Sequence, residues 1–123
     1  MLNIIVLLSD NKSYREIFSD IFKLDNIFYT EDEAHYSRKC ENGRYYFHYS
    51  KPASVEYSEE ELSQIPYEVS EICDITYYPP EMLKFIVSKL ASYDKMLYID
   101  DDHGRIMSIN KYDKLINIYN PPN

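Results

Sequence analysis

At 123 residues, with 45% hydrophobic and 15% aromatic side chains, the chain is long enough for one core and too apolar for disorder. Its formal charge is −8, which disfavours nucleic acid and anionic membrane surfaces as partners. Two glycines, Gly43 and Gly104, exclude the glycine-rich loops that cradle phosphates.

The opening Leu2–Leu8 is a continuous apolar run that fits a central strand buried on both faces. It has no basic segment before it and no small-residue cleavage pattern, so a strand is expected rather than a signal peptide. Ser13 and Glu16 have the spacing of a capping box. Tyr14, Ile17, Phe18, Ile21 and Phe22 follow at helical spacing, the strongest helix signal in the chain. The run Ile4–Leu8, Ser9, Asp10 and this helix resembles the start of a response-regulator receiver domain. The acidic pair of that family is missing, however, and the next elements break its β-α alternation.

Asn42-Gly43 predicts a hairpin with a type I′ turn, because both residues tolerate positive φ. With Glu41 opposite Arg44, one face would carry Tyr36, Arg38, Cys40, Tyr45, Phe47 and Tyr49 toward the core. The other would carry His35, Ser37, Lys39, Arg44, Tyr46 and His48. Cys40 and Cys73 are expected as reduced thiols.

From Pro52 to Leu83 there are eight carboxylates and no Lys, Arg or His. Residues 51–102 hold 12 acids and 4 bases, against 9 of each elsewhere, so this block carries the whole net charge. Within it, Ser58 and Glu61 predict a capped short helix over 59–64, ended by Pro66. Alternation over Tyr67–Tyr78 predicts a strand. Its apolar side would hold Tyr67, Val69, Cys73, Ile75 and Tyr77, with Glu71 as the exception. Its wet side would hold Glu68, Ser70, Asp74, Thr76 and Tyr78, with Ile72 among them. A salt bridge or an edge position would account for Glu71 more simply than acid–base chemistry.

Pro79-Pro80 predicts the start of a helix with Met82, Leu83, Ile86, Val87 and Leu90 on its apolar side. Lys95–Ile99 and Arg105–Ile109 predict paired strands around Asp-Asp-His-Gly. Lys111–Ile118 is compatible with a short helix or an edge strand. The expected fold is a single α+β domain over 1–123: a mixed or mainly antiparallel sheet with two main amphipathic helices packed on it.

No motif specifies a reaction. Asp100, Asp101, Asp102 and His103 together could ligate a divalent cation, but consecutive strand residues point to opposite sides and Asp and Gly are ordinary turn residues. His35 and His48 with Cys40 lack zinc spacing. No catalytic residue, cofactor or metal is therefore assigned. The charge block points instead to a basic protein partner. The expected contact residues are Glu59, Glu60, Glu68, Asp74 and Tyr78, joined by Asp100, Asp101 and Asp102.

In size, acidity, tyrosine content and lack of a catalytic motif, the chain resembles small bacterial immunity proteins of contact-dependent inhibition and related toxin systems. The resemblance is one of general type and carries no motif residue by residue. It implies a cytoplasmic inhibitor without catalysis that binds a cognate toxin, a nuclease by preference, as a monomer or weak homo-oligomer. The negative charge in its turn argues against direct contact with nucleic acid or membrane. The competing readings are a small metal-dependent enzyme or regulator using Asp100–His103, and a subunit of a homo-oligomeric assembly.

Overall fold

A computed structural model describes residues 2–9, 14–29, 33–50 and 57–119. The elements in chain order are β1 (Leu2–Leu8), α1 (Tyr14–Phe22), β2 (Asn26–Tyr29), β3 (Glu33–Cys40), β4 (Gly43–Ser50), α2 (Glu59–Leu62), β5 (Glu71–Tyr78), α3 (Met82–Tyr93), β6 (Tyr98–Asp100), β7 (Ile106–Ser108) and α4 (Ile109–Tyr119). The strands form a seven-stranded sheet in the order β2-β3-β4-β5-β1-β6-β7, and every pair is antiparallel. The class is α+β, as the hairpins and helix stripes predict.

β1 lies inside the sheet, between β5 and β6. β5 and β6 both run antiparallel to it, so they are parallel to each other. α3 is the crossover that joins them. This is a split β-α-β unit, in which another strand fills the space under the crossover helix.

One sheet face carries the main core. Ile4, Val6 and Leu8 of β1 share it with Tyr45, Phe47 and Tyr49 of β4 and with Cys73, Ile75 and Tyr77 of β5. α1, α3 and α4 cover this face through Phe18, Phe22, Ile86, Leu90, Ile109 and Ile116. Phe22 meets Phe47 with ring centroids 4.8 Å apart. Burial of such a side chain contributes about 1.5–3 kcal/mol. The Tyr45 hydroxyl donates to Phe22 O at 2.6 Å, so a phenol inside the core satisfies a carbonyl left over at the end of α1. α4 adds a third long helix to the two expected, over the stretch whose pattern was ambiguous.

The opposite face has a smaller core of Ile5, Leu7, Tyr57, Ile65 and Ile72, with Leu62, Tyr67 and Val69 packed against it. This changes the expected strand. Regular pairing of β5 begins at Glu71 rather than Tyr67, and Tyr67 and Val69 lie across the second face. Ile72 belongs to that cluster, which is why an apolar residue sits on the supposedly wet side. The Tyr67 hydroxyl accepts from Tyr98 N–H at 2.9 Å and donates to Leu7 O at 2.6 Å. It bridges β1 and β6 at the Leu7–Tyr98 rung.

The first hairpin also differs in register. Cys40 pairs with Gly43 and Lys39 with Arg44, so the turn residues are Glu41 and Asn42. Asn42 does not adopt positive φ, and a type I′ turn is not formed. The cause lies on the neighbouring strand. A Cβ on residue 43 would stand 2.5 Å from Tyr78 O and 2.7 Å from Pro79 Cδ, so glycine is required where β4 passes the end of β5. The shift of two leaves both faces as expected. The capping box of Ser58 is present, with Glu61 N–H donating to Ser58 Oγ and Ser58 N–H to Glu61 Oε1. The expected box at Ser13 lies outside the described residues.

Candidate interaction surface

The second sheet face divides into two parts. Over β1, β5 and β6, the segment from Tyr57 to Val69 covers the sheet. Over β3, β4 and β5, the register sets out a polar row of His35, His48 and Asp74, continued through Ile5 to Asp100. The His35 and His48 rings stack 4.3 Å apart and 6° from parallel. One rung nearer the hairpin, Thr76 Oγ1 donates to Asn3 Oδ1 at 2.9 Å. At the end of the strands, Lys39, Arg44 and Tyr78 stand side by side, with the Arg44 guanidinium 5.4 Å from the Tyr78 ring centroid.

On the covered half, one bond links two acidic segments. The Tyr57 hydroxyl donates to Asp100 Oδ2 at 2.8 Å. Tyr57 directly precedes Ser58, the N-cap of α2, so this bond brings the start of that helix to the β6–β7 turn. Tyr57 and Leu62 occupy the two positions of a hydrophobic staple around the cap, and both join the second cluster. Glu59 and Glu60 are exposed on α2. Asp102 is exposed at the turn, with φ 64, a conformation that Asp tolerates better than most residues.

The three consecutive aspartates play different parts. Asp100 is half-buried; one carboxylate oxygen accepts from Tyr57 and the other from Asp102 N–H at 2.8 Å. Asp101 is buried, and its expected place on a contact surface is corrected accordingly. Its Oδ1 accepts from His103 N–H at 2.9 Å and Arg105 N–H at 3.1 Å, and its Oδ2 pairs with Arg105 Nε at 2.7 Å. Burial alone would raise the Asp101 pKa. The donors from His103 and Arg105 outweigh it and hold the carboxyl below its ordinary value. The carboxylate builds the turn and is not presented to a partner.

The remaining expected contacts separate. Glu68 is exposed on the covering segment, Asp74 is half-buried beside His48, and Tyr78 is exposed among cations at the hairpin end. From Asp74 to Tyr78 along an extended strand is roughly 13 Å. The eight residues are therefore spread over several elements of the fold. The Tyr57–Asp100 bond brings the start of the helix that carries Glu59 and Glu60 to the turn that carries Asp102, whereas Tyr78 stands beside Arg44.

Tyr57 was not among the residues expected to build this surface. Its signal was its place just before the Ser58 cap, with Leu62 at the matching staple position. Among the described residues, no group of three or more His, Cys, Asp or Glu side chains is placed to hold a metal ion, and no helix is long and apolar enough to cross a membrane. Cys40 and Cys73 are free thiols, and Cys73 is buried. Comparison with protein-family models, with curated proteins and with solved structures gives no match.

Proposed function

We propose that the chain is a non-catalytic inhibitor that binds and neutralises a basic protein, in the manner of the cytoplasmic immunity proteins that block toxin nucleases. The observation that carries this reading is the placement of charge. The entire net charge lies in residues 51–102, and three acids of that block, Glu59, Glu60 and Asp102, are exposed around the corner where Tyr57 meets Asp100.

A nuclease site is positively charged because it holds phosphates. Carboxylates on a rigid surface can lie where the phosphates would. Such complementarity accelerates encounter and rejects wrong partners more than it adds affinity. The corner suits that task because the acids stand on a helix and a turn joined by the Tyr57 hydroxyl, so less side-chain and loop ordering remains to be done on binding.

The test is association with the basic domain encoded in the adjoining reading frame, followed at increasing salt. An on-rate that falls steeply with ionic strength, together with loss of the partner's nuclease activity, is the expected result. Salt-independent association, or a neighbouring gene without a basic toxin domain, would sink the reading.

A further inference from the structure

The geometry points to a binding cavity for a small aromatic carboxylate between the end of α1, the β3–β4 hairpin and α3. The cavity measures about 260 Å³, the size of a single-ring ligand rather than a nucleotide or a peptide. Phe85 is its exposed ring, with the buried Phe22 and Tyr45 beneath, and three cations, Lys23, Arg38 and Lys89, border it. No carboxylate is among the described residues that line it. The acids nearest in sequence to Lys23, Asp20 and Asp25, are exposed and outside the lining. In a chain of charge −8, three cations and no carboxylate in one lining is a local excess of positive groups, with Asp25 the acid near enough to act on Tyr45.

Two details indicate a site rather than a gap. Phe85 is 42% exposed although it meets the Phe22 and Tyr45 rings at 6.3 Å, and Lys89 Nζ stands 5.6 Å from its centroid. An apolar face is thus left open under a cation. Lys23 is the second. α1 ends with Leu24 N–H donating to Ser19 O at 2.9 Å and Lys23 N–H to Asp20 O at 3.4 Å, the bonds of a Schellman motif. Its left-handed position is the one that glycine fills at no steric cost, yet Lys23 occupies it with φ 53. Arg38 Nη1 donates to Lys23 O at 3.1 Å and helps hold it there. A residue kept in a costly conformation at a cavity edge is a sign of use. The Tyr45 phenol adds no opposing charge, because burial, with Cys40 beside it, pushes its pKa up to about 12.

In this arrangement a planar ring lies against Phe85, the one exposed ring of the lining, and its carboxylate sits between Lys23 and Lys89. The probe is benzoate, titrated into the isotope-labelled protein while amide resonances are followed. Saturable shifts at Lys23, Arg38, Cys40 and Phe85 are expected. Benzyl alcohol and inorganic phosphate should each bind at least several-fold more weakly, since one lacks the charge and the other the ring. Lys89→Glu, at an exposed helix position, should weaken benzoate roughly tenfold, combining a lost attraction with a new repulsion. Lys23→Gly separates the site from the fold: it should raise the melting temperature by relieving the left-handed backbone and at the same time weaken benzoate binding. Absence of saturable shifts, equal binding of either control compound, or a Lys23→Gly protein that binds benzoate as well as the parent would overturn the proposal.

Discussion

Arg15 Nη2 donates to Glu71 Oε2 at 2.7 Å, joining α1 to the first residue of β5 across the edge of the main core. Glu71 is the acid that interrupts the apolar side of its strand, and its side chain is only 12% exposed. The Arg15 guanidinium also lies 5.5 Å from the Tyr49 ring centroid. The pair explains how a carboxylate is tolerated there. Arg15→Met should destabilise the fold by about 1–3 kcal/mol in urea titrations, because it leaves a desolvated carboxylate without its donor. The double variant Arg15→Met/Glu71→Leu should recover most of that loss, since replacing both partners removes the unpaired charge. Additive losses in the two single variants would show that the contact is worth little.

Asp101 gives a stability term with a defined pH window. Its folded-state pKa lies below the ordinary value near 3.8, so the unfolded chain binds this proton more readily than the folded one. The stabilisation is fully present above the unfolded value and declines as pH falls below about 4 toward the lower folded value. Asp101→Asn should cost about 1–3 kcal/mol at neutral pH, through the weakened bonds to Arg105 and His103 N–H. The difference between parent and variant should narrow as pH falls from 4 toward 2. A difference independent of pH across that range would contradict the assignment.

The Tyr67 hydroxyl sits between two backbone groups of adjacent strands, one donor and one acceptor. Burial pushes its pKa up, although the Tyr98 N–H opposes this, so the phenol remains protonated and can donate to Leu7 O. Tyr67→Phe keeps the ring that packs against Tyr98, at 6.2 Å between centroids, and removes only the bridge. The expected loss is about 1–3 kcal/mol, the penalty for leaving buried backbone groups unpaired. Amide exchange at Tyr98 should accelerate beyond that of β4. Tyr46→Phe, at an exposed position of β4, serves as the comparison and should leave stability within about 0.5 kcal/mol. Equal effects from the two substitutions would remove the special role of the bridge.

The parts of this fold that sequence made plain are those where one periodicity had no competitor. The apolar run of β1, the stripe of α1 and the stripe of α3 each dictate one local structure. The capping box at Ser58 was equally legible, because both of its reciprocal bonds are local. What failed depended on distant contacts. The alternation of β5 continues backwards through Val69 and Tyr67, and nothing local says that Tyr67 leaves the ladder to bridge Leu7 and Tyr98. The Asn42-Gly43 pair signalled a hairpin correctly, but the turn moved because Gly43 is needed beside Tyr78 and Pro79. β2 has only four residues, Asn26–Tyr29, too few for a pattern. At the candidate surface, three adjacent aspartates look equivalent in sequence. Only the placement of Tyr57 and Arg105 reveals that Asp100 is bonded but half-buried, Asp101 bonded and buried, and Asp102 exposed.

That difference among the aspartates sharpens the test of partner binding. Under the proposed inhibitor function, charge at the Tyr57–Asp100 corner should control encounter, and charge elsewhere should not. Glu59→Lys and Glu60→Lys should each reduce the on-rate for the basic partner several-fold at low salt, with an unchanged melting temperature because both positions are exposed. Asp102→Asn should act in the same direction with a smaller effect; Asn also tolerates left-handed backbone, so the turn survives. Tyr78→Ser lies beside Arg44 at the basic end of the sheet, and there the on-rate should stay within about twofold of the parent, the range of a residue outside the steering field. The four association rates should converge at high salt, where exposed charges more than a Debye length apart no longer act on each other. If Tyr78→Ser lowers the on-rate as much as Glu59→Lys, the docking surface lies across the β3–β4–β5 part of the second sheet face instead of at the acidic corner.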